Sequence, residues 1–416
     1  MKRQRMSPGV ALLLPTLLGL TTGCQDDVLE PEAFPDVDAL YAKPPKPPSP
    51  ADAGGILAGT DLGTLGGAES EATDISPEGW IVGRSSTDAS GIRRPFLWRD
   101  GRGMAELPLP ARFEPMTDHE GVTYPLVINR QMTNPRRRIA GAAPDPERPD
   151  PDLDGIYSNS VIVWTTADGG DTWTAEDLPV PDFWDGIDPE DVWAEGVNDL
   201  GVLIAQYREP EWGAMVWDTR TAVSADDWVQ LQDPDGALWT QADGINDAGV
   251  IVGFSRMYDW GIREYHAEYW LPPYTEAPIR LPDYQGWPIQ QANGIKENGD
   301  VVGWAQQRNK KVTLIWRNVG DPQGIPSYGA PEAFIGPEMA VSITLAINAC
   351  DQVVGGGTAR DQDGSLFDLE SVFPRGGARS SAINDMGWIS GTSSGGNSVK
   401  GTYMERATLW KLPGGC

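Results

Sequence analysis

The sequence predicts an all-β fold: a seven-bladed β-propeller of four-stranded repeats, each about 50 residues long. Three observations predict it. The first is a hairpin that recurs along the chain and is clearest from Ala242 to Gly253. There Ile245 ends one strand, Asn246 to Gly249 supplies an Asx-type turn whose glycine accepts positive φ, and Val250 to Val252 begins a β-branched return strand. The second is spacing. Anchors fall at Ile75, Ile128, Val197, Ile245, Ile295, Ile347 and Ile383, and in six of the seven a small residue follows eight places later, at Gly83, Ala205, Gly253, Gly303, Gly355 and Gly391. The third is an aromatic landmark 20 to 36 residues beyond each anchor, at Trp98, Trp164, Trp217, Trp270, Trp316, Phe367 and Trp410, each read as closing a third strand.

Taken in order, the chain opens with Lys2, Arg3 and Arg5 before an apolar run from Val10 to Leu20, too short to span a bilayer and suited to a secretory signal over residues 1–23. Leu20-Thr21-Thr22-Gly23-Cys24 resembles the lipobox of bacterial lipoproteins, with the leucine one place earlier than that family has it. The resemblance implies lipidation at Cys24, and ordinary secretory cleavage is the alternative. Residues 24–58 are acidic and then proline-rich, with Lys43-Pro-Pro-Lys-Pro-Pro-Ser-Pro50 favouring extended conformations, so a tether is expected there and the propeller over residues 59–416. Within the body, Asp61-Leu-Gly-Thr-Leu-Gly-Gly67 reads as a fourth strand without a repeat of its own. Fourth strands are also read in Ala105 to Leu109, Glu176 to Val180, Ile279 to Pro282 and Glu370 to Pro374. The second copy carries five extra residues around Asn134 to Arg138 before Gly141, which reads as a longer hairpin loop. The seventh copy stops six residues after Trp410, too soon for a full fourth strand. The N-terminal strand is therefore expected to complete the last blade and close the ring, removing exposed sheet edges.

These residues resemble the HAF-repeat family of bacterial extracellular proteins. Asp61 to Gly67 matches its Asp-Leu-Gly-Thr-Leu-Gly-Gly element. Ala72 to Gly83, Ala242 to Gly253, Ala292 to Gly303 and Ala382 to Gly391 match its core, and His266-Ala267 with Trp270 keeps part of its His-Ala-Phe-x-Trp element. The second and sixth copies depart from the pattern, since Asn129-Arg-Gln-Met and Asn348-Ala-Cys-Asp lack the turn glycine. The resemblance implies an exported repeat protein and assigns no activity.

A formal net charge of −28 argues against nucleic acid and against anionic lipid surfaces, which require basic patches, so a membrane would be met only through the lipid anchor. The reading is of a monomer at the outer membrane or cell surface, otherwise secreted. Of three cysteines, one is assigned to lipid, which leaves Cys350 and Cys416 as a candidate disulfide on the hairpin face.

Propeller strand order sends the Asn-Asp-x-Gly hairpins to one face and the loops after second and fourth strands to the other. On the latter face the expected ligand platform comprises Trp184, Trp212, Tyr258, Trp260 and Trp287, with Trp193 and Trp239 on the same side; capping of the hydrophobic rim is the alternative role. Asp150-Pro-Asp-Leu-Asp-Gly155 puts Asp150, Asp152 and Asp154 at alternate positions before a glycine, the front half of a calcium loop. The closing carboxylate is missing, since Val161 stands at position twelve. Thr166-Ala-Asp-Gly-Gly-Asp-Thr-Trp173 resembles the Asp-box turn of sialidase-like propellers, in which Asp168 would bind turn amides and Trp173 would pack beneath. His119 and His266 are the only histidines, and no zinc pattern, phosphate loop or nucleophile elbow accompanies them. No cofactor beyond a candidate Ca²⁺ is called for. The functional expectation is a non-catalytic surface recognition or scaffolding protein that meets a glycan, peptide or envelope component on the loop face. The alternative is a carbohydrate-active hydrolase or lyase of sialidase-like propeller type.

Overall fold

Each recurring hairpin forms the inner half of an antiparallel sheet. The computed structural model describes residues 53–88, 92–113, 116–117, 123–124, 138–149, 157–179, 191–208, 212–259, 262–321, 325–335, 345–396 and 403–416. The signal segment, Cys24 and residues 25–52 of the expected tether lie outside these.

The architecture is all-β and propeller-like, with several four-stranded sheets and one eight-stranded sheet in which the fourth and fifth copies are joined through the parallel Tyr265–Ile289 pair. The sheet of the first copy runs Ser70–Ile75, Ile81–Ser86, Arg93–Arg99, Gly103–Glu106, each strand pairing with the next. The third runs Asp191–Val197, Val202–Arg208, Gly213–Asp218, Val229–Gln230, and the fourth Ala237–Ile245, Ile251–Asp259, Ile262–Trp270, Ile279–Arg280. The fifth runs Ile289–Ile295, Val301–Gln307, Lys310–Trp316, Glu332–Ile335. Of the second copy, Arg138–Pro149, Tyr157–Thr165 and Thr174–Asp177 are described. In the seventh, Gly377–Ile383, Trp388–Gly395 and Met404–Lys411 are joined by Thr60–Asp61, whose Thr60 pairs antiparallel with Leu409.

Two repeated devices fasten these sheets to one another. On the hairpin face, the turn asparagine accepts from its own turn through Oδ1 and donates through Nδ2 to the next hairpin. Asn198 reaches the Asn246 carbonyl (2.9 Å), Asn246 that of Lys296 (3.2 Å), Asn348 that of Asn384 (3.0 Å) and Asn384 that of Ser76 (2.8 Å). Beside it, a turn carboxylate captures the preceding hairpin's amide: Asp247 from Asp199 (2.7 Å), Glu297 from Asp247 (3.0 Å), Asp385 from Ala349 (2.8 Å). Between the sheets, the landmark indoles are buried, and their N–H groups donate to the carbonyl that follows the preceding copy's fourth strand. Trp164 meets Pro108, Trp270 Gln232, Trp316 Pro282 and Trp410 Glu370, at 2.5 to 3.0 Å. In the third sheet the acceptor Pro179 is taken by Trp228 instead (2.8 Å), and Trp217 packs against that ring at 4.9 Å. A buried indole N–H is costly when unbonded, and in these four copies the neighbouring carbonyl supplies the partner.

Two expectations are corrected. Phe367 does not close a third strand. The sixth sheet runs Leu345–Ile347, Val353–Gly355, Thr358–Arg360, Leu366–Leu369, so Phe367 lies on the fourth strand and Glu370 to Pro374 is not a strand. The cause is a tight return through Gly356, at φ +58°, which brings the third strand forward. Ala53–Leu57, within the stretch expected as tether, is a strand that pairs parallel with Leu366–Leu369 as the fifth, edge strand of that sheet. Finally, the missing turn glycine of the sixth copy is replaced by Asp351 at φ +62°, a conformation that aspartate tolerates better than most residues, held there by Lys296 Nζ (2.7 Å) and Arg317 Nη1 (2.9 Å). Cys350 and Cys416 form a disulfide, Cα–Cα 5.5 Å, that ties the C-terminus to the sixth hairpin.

Candidate active site

The first strands of five copies carry the same irregularity. Register breaks between Ala72 and Asp74, Ala194 and Gly196, Ala242 and Gly244, Ala292 and Gly294, and Ser380 and Ala382, so Thr73, Glu195, Asp243, Asn293 and Ser381 are bulged residues at one equivalent position. A bulge re-aims the side chain of its extra residue out of the pleat. All but Glu195 are half-buried although they sit on the innermost strands, so they face space beside those strands and not a sheet interior. In four of these sheets the strands approach too closely for a side chain at the repeat glycine: a Cβ at Gly253, Gly303, Gly83 or Gly391 would run into the carbonyl of Gln241, Gln291, Glu71 or Arg379 on the paired first strand, whereas the third sheet forms the same bulge opposite Ala205.

Two of the bulged residues are carboxylates on neighbouring sheets, each held in place. Asp243 accepts from Gln241 Nε2 at Oδ1 (2.7 Å) and from Asn293 Nδ2 at Oδ2 (3.1 Å). Glu195 is buried, and Trp193 Nε1 donates to its Oε1 at 2.6 Å. In the first copy, burial pushes the neighbouring Asp74 carboxyl up to about 8, against a bond from the Ile75 amide that favours its charge. In the fourth sheet, burial pushes Glu268 up to about 7 although the Ser255 hydroxyl donates to it.

Trp193 also belongs to an aromatic wall at the end of the sheets opposite the Asn hairpins. Its ring meets Trp212 edge-on at 5.6 Å, Trp212 lies 6.2 Å from Trp239, and Trp239 lies 6.1 Å from Tyr265 and 5.4 Å from Phe254. Trp212 is exposed and the other indoles are half-buried, so the wall offers one open ring backed by packed ones. Carboxylates beside an aromatic surface are the groups that protonate, attack and stack on a sugar ring.

Of the residues expected to form the ligand platform, Trp212 joins this wall, together with Trp193 and Trp239. Trp287 does not: it meets Tyr284 edge-on at 5.3 Å and packs on the core shared by the fourth and fifth copies. Trp184, Trp260 and the side chain of Tyr258 lie outside the described residues, as do Asp150, Asp152 and Asp154 of the calcium-like loop. Among the described residues, no three His, Cys, Asp or Glu side chains gather as a metal site. Asp168 sits in a closed turn, accepting from Thr166 Oγ1 (2.8 Å) and from the amides of Asp171 (3.0 Å) and Thr172 (2.9 Å), bonds that hold it well below the usual carboxylate range. Trp173 packs on the core beneath, and Asp171 pairs with Arg102 and Arg99 of the first sheet, so this turn is a brace between sheets. His266 bonds Glu264 at 2.8 Å. Sequence reasoning missed the bulged carboxylates. Their signal was the residue between a small residue and glycine in Ala194-Glu-Gly196 and Ala242-Asp-Gly244.

No protein-family model matches the chain, and no curated protein is similar to it in sequence. Similar solved structures include a puromycin-hydrolysing peptidase of Mycobacterium tuberculosis (12% identity, 81% of this chain and 52% of that one, TM-score 0.43). Others are an α-L-arabinanase of Penicillium chrysogenum with arabinobiose (12%, 82% and 92%, 0.39) and the catalytic domain of a Coprinopsis cinerea α-L-arabinofuranosidase (9%, 74% and 98%, 0.34). The chain spans about half the length of the peptidase. These neighbours are enzymes, a finding against the expectation of a non-catalytic recognition or scaffolding protein, and that expectation is corrected. Overlap this loose transfers no residue and no substrate, so the chemistry is taken from this chain's own side chains.

Proposed function

We propose that the chain is a glycoside hydrolase whose working carboxylates are Glu195 and Asp243. The observation that carries this is their placement: the same bulged register on adjacent first strands, one oriented by an indole of the Trp193, Trp212 and Trp239 wall and the other by two side-chain amides. Their environments differ, as an acid and base pair requires. Glu195, buried against Trp193, donates the proton to the departing glycosidic oxygen, while the more open Asp243 attacks the anomeric carbon or activates water. Trp212 offers the stacking face. The aromatic wall and the lack of an arginine among the described bulged residues favour neutral sugars over acidic ones.

The test is release of reducing ends, or of aryl alcohol from aryl glycosides, across a panel of neutral oligosaccharides. Asp243→Asn and Glu195→Gln are each expected to lower kcat by about 100-fold or more with the fold retained by circular dichroism. Cleavage by the wild type that survives both substitutions would refute the assignment, and so would no cleavage of any neutral substrate.

Around this site we propose a closed seven-bladed ring. Supporting it are the bonds joining the last copy to the first: Asn384 to Ser76, Ser381 Oγ to Ala72 (3.0 Å), Arg379 to Glu71 (2.9 Å), and Thr60–Asp61 on Met404–Lys411. The HAF-repeat resemblance, lipidation at Cys24, anchoring at the outer membrane or cell surface, Ca²⁺ at the Asp150 loop and a monomeric state belong to the same proposal.

A further inference from the structure

At the hairpin end, away from the carboxylates and the aromatic wall, a cavity of about 420 Å³ opens between the third and fourth sheets. Its floor is apolar, formed by Val202, Val216 and Val229, and Leu200 flanks it with 47% of its surface exposed. Its rim carries three carboxylates, Asp218, Asp227 and Asp247, against one cation, Arg220. That cation is already committed, since Arg220 Nε and Nη2 reach the two oxygens of Asp218 at 2.8 and 2.7 Å. Arg138, whose guanidinium lies beside Gly201, also acts on Asp218, which leaves Asp227 and Asp247 as the rim carboxylates open to a further cation. The amides of Val223 and Ser224 hold Asp227 well below the usual carboxylate range, so its charge persists.

The field around the groove has the same sign. Asp247 belongs to the turn carboxylates that link successive hairpins, with Asp199, Glu297 and Asp385. Burial pushes Glu297 up, and repulsion from Asp247, Asp199 and Asp385 adds to it, so negative charge on this face is not fully neutralised. An apolar trough with an excess of negative charge at its lip fits a side chain that is apolar along its stem and cationic at its head.

We infer that this groove docks a basic peptide segment. A lysine or arginine lays its methylenes along Leu200 and Val202 and brings its charge to Asp227 and Asp247. An anionic ligand would have to compete with Asp218 for Arg220. The inference does not depend on the hydrolase reading, because none of these residues belongs to that site.

The test uses a fluorescein-labelled hexapeptide of alternating lysine and leucine, titrated with the full chain and followed by fluorescence anisotropy. The same peptide with glutamate in place of lysine is the control. Leu200→Lys places a cation at the mouth of the groove on an exposed turn position. Val319→Lys makes the same charge change at another exposed position, 72% accessible, on the fifth copy. Binding of the lysine peptide is expected to weaken about tenfold or more in Leu200→Lys, equivalent to about 1.4 kcal/mol, and to stay within about twofold in Val319→Lys. It is also expected to fall as salt is raised. Equal loss in both variants would mean that the peptide senses only overall charge, and the inference fails. It also fails if the glutamate peptide binds as well, or if the lysine peptide does not bind at all.

Discussion

Gly253→Ala probes the bulge on which the candidate site depends. Gly253 pairs with Ala242 immediately before the register break, and a Cβ there would run into the Gln241 carbonyl. That oxygen belongs to strand backbone and cannot rotate aside as a side chain would, so the two strands must separate or the bulge must move. Overpacking of this kind costs about 1–3 kcal/mol, with the upper end expected for a backbone obstacle. Alanine recovers about 0.4–1 kcal/mol by restricting the unfolded chain. The net is about 2 kcal/mol of lost stability, a fall in Tm on the order of 5 °C or less for a chain of this size. Asp243 is the next residue along that first strand, so hydrolysis should fall along with stability. The third sheet supplies the contrast: Ala205 occupies the equivalent position, fully buried and paired with Ala194, so the spacing there already admits a methyl. Ala205→Gly should therefore cost no more than about 1 kcal/mol. Thermal unfolding of the two variants reads both numbers. A Gly253→Ala protein as stable as the wild type would refute the account of why the repeat glycine is small.

Two further predictions concern charge and covalent closure. Asp74 and Glu268 are carboxyls pushed up to about 8 and about 7, so between their unfolded values near 4 and these folded values the native state binds more protons than the unfolded one. Stability from that source is fully present below pH 4 and is lost as pH rises through 7 to 8, at up to about 1.4 kcal/mol per pH unit per group, reduced at Asp74, which is not fully buried, by solvent screening. Asp74→Asn should flatten the decline in Tm between pH 5 and 8; an unchanged slope would remove Asp74 from that role. Cys350→Ser opens the loop closed by the disulfide, sequence separation 66, and should cost about 3–4 kcal/mol in urea unfolding. Peptide mapping under non-reducing conditions should recover the Cys350 and Cys416 peptides linked, and their recovery as separate thiols would count against the bond.

Much of the scaffold was legible because its parts are local. Asn246 to Gly249 specifies its turn through a side-chain acceptor and a positive-φ glycine, which any four-residue window displays. Trp270 and Trp316 announced packing by size and spacing, though not that each N–H would seek a carbonyl of the preceding copy. Phe367 misled for the same reason. Its spacing from Ile347 matched the third-strand landmark, but the shortened return at Gly356 shifted every later strand of that sheet, and spacing alone cannot distinguish the two arrangements. The sixth copy's missing glycine was visible, whereas its remedy, Asp351 held by Lys296 and Arg317 from the fifth copy, was not.

The candidate site was much less legible than the scaffold. Trp212 could be assigned to the loop face from strand order, but so could Trp287, and only packing separates the exposed ring from the one resting on core beside Tyr284. Glu195 and Asp243 passed as ordinary polar residues within a β pattern. What the sequence by itself determined was the repeating unit, since turn chemistry, strand alternation and landmark spacing are set by neighbours along the chain. What only the tertiary structure decided was which side chains meet. The bulge depends on how closely two backbones approach, and the pairing of Asp243 with Asn293 or of Trp193 with Trp212 depends on how sheets and strands pack, distances that no spacing along one chain records.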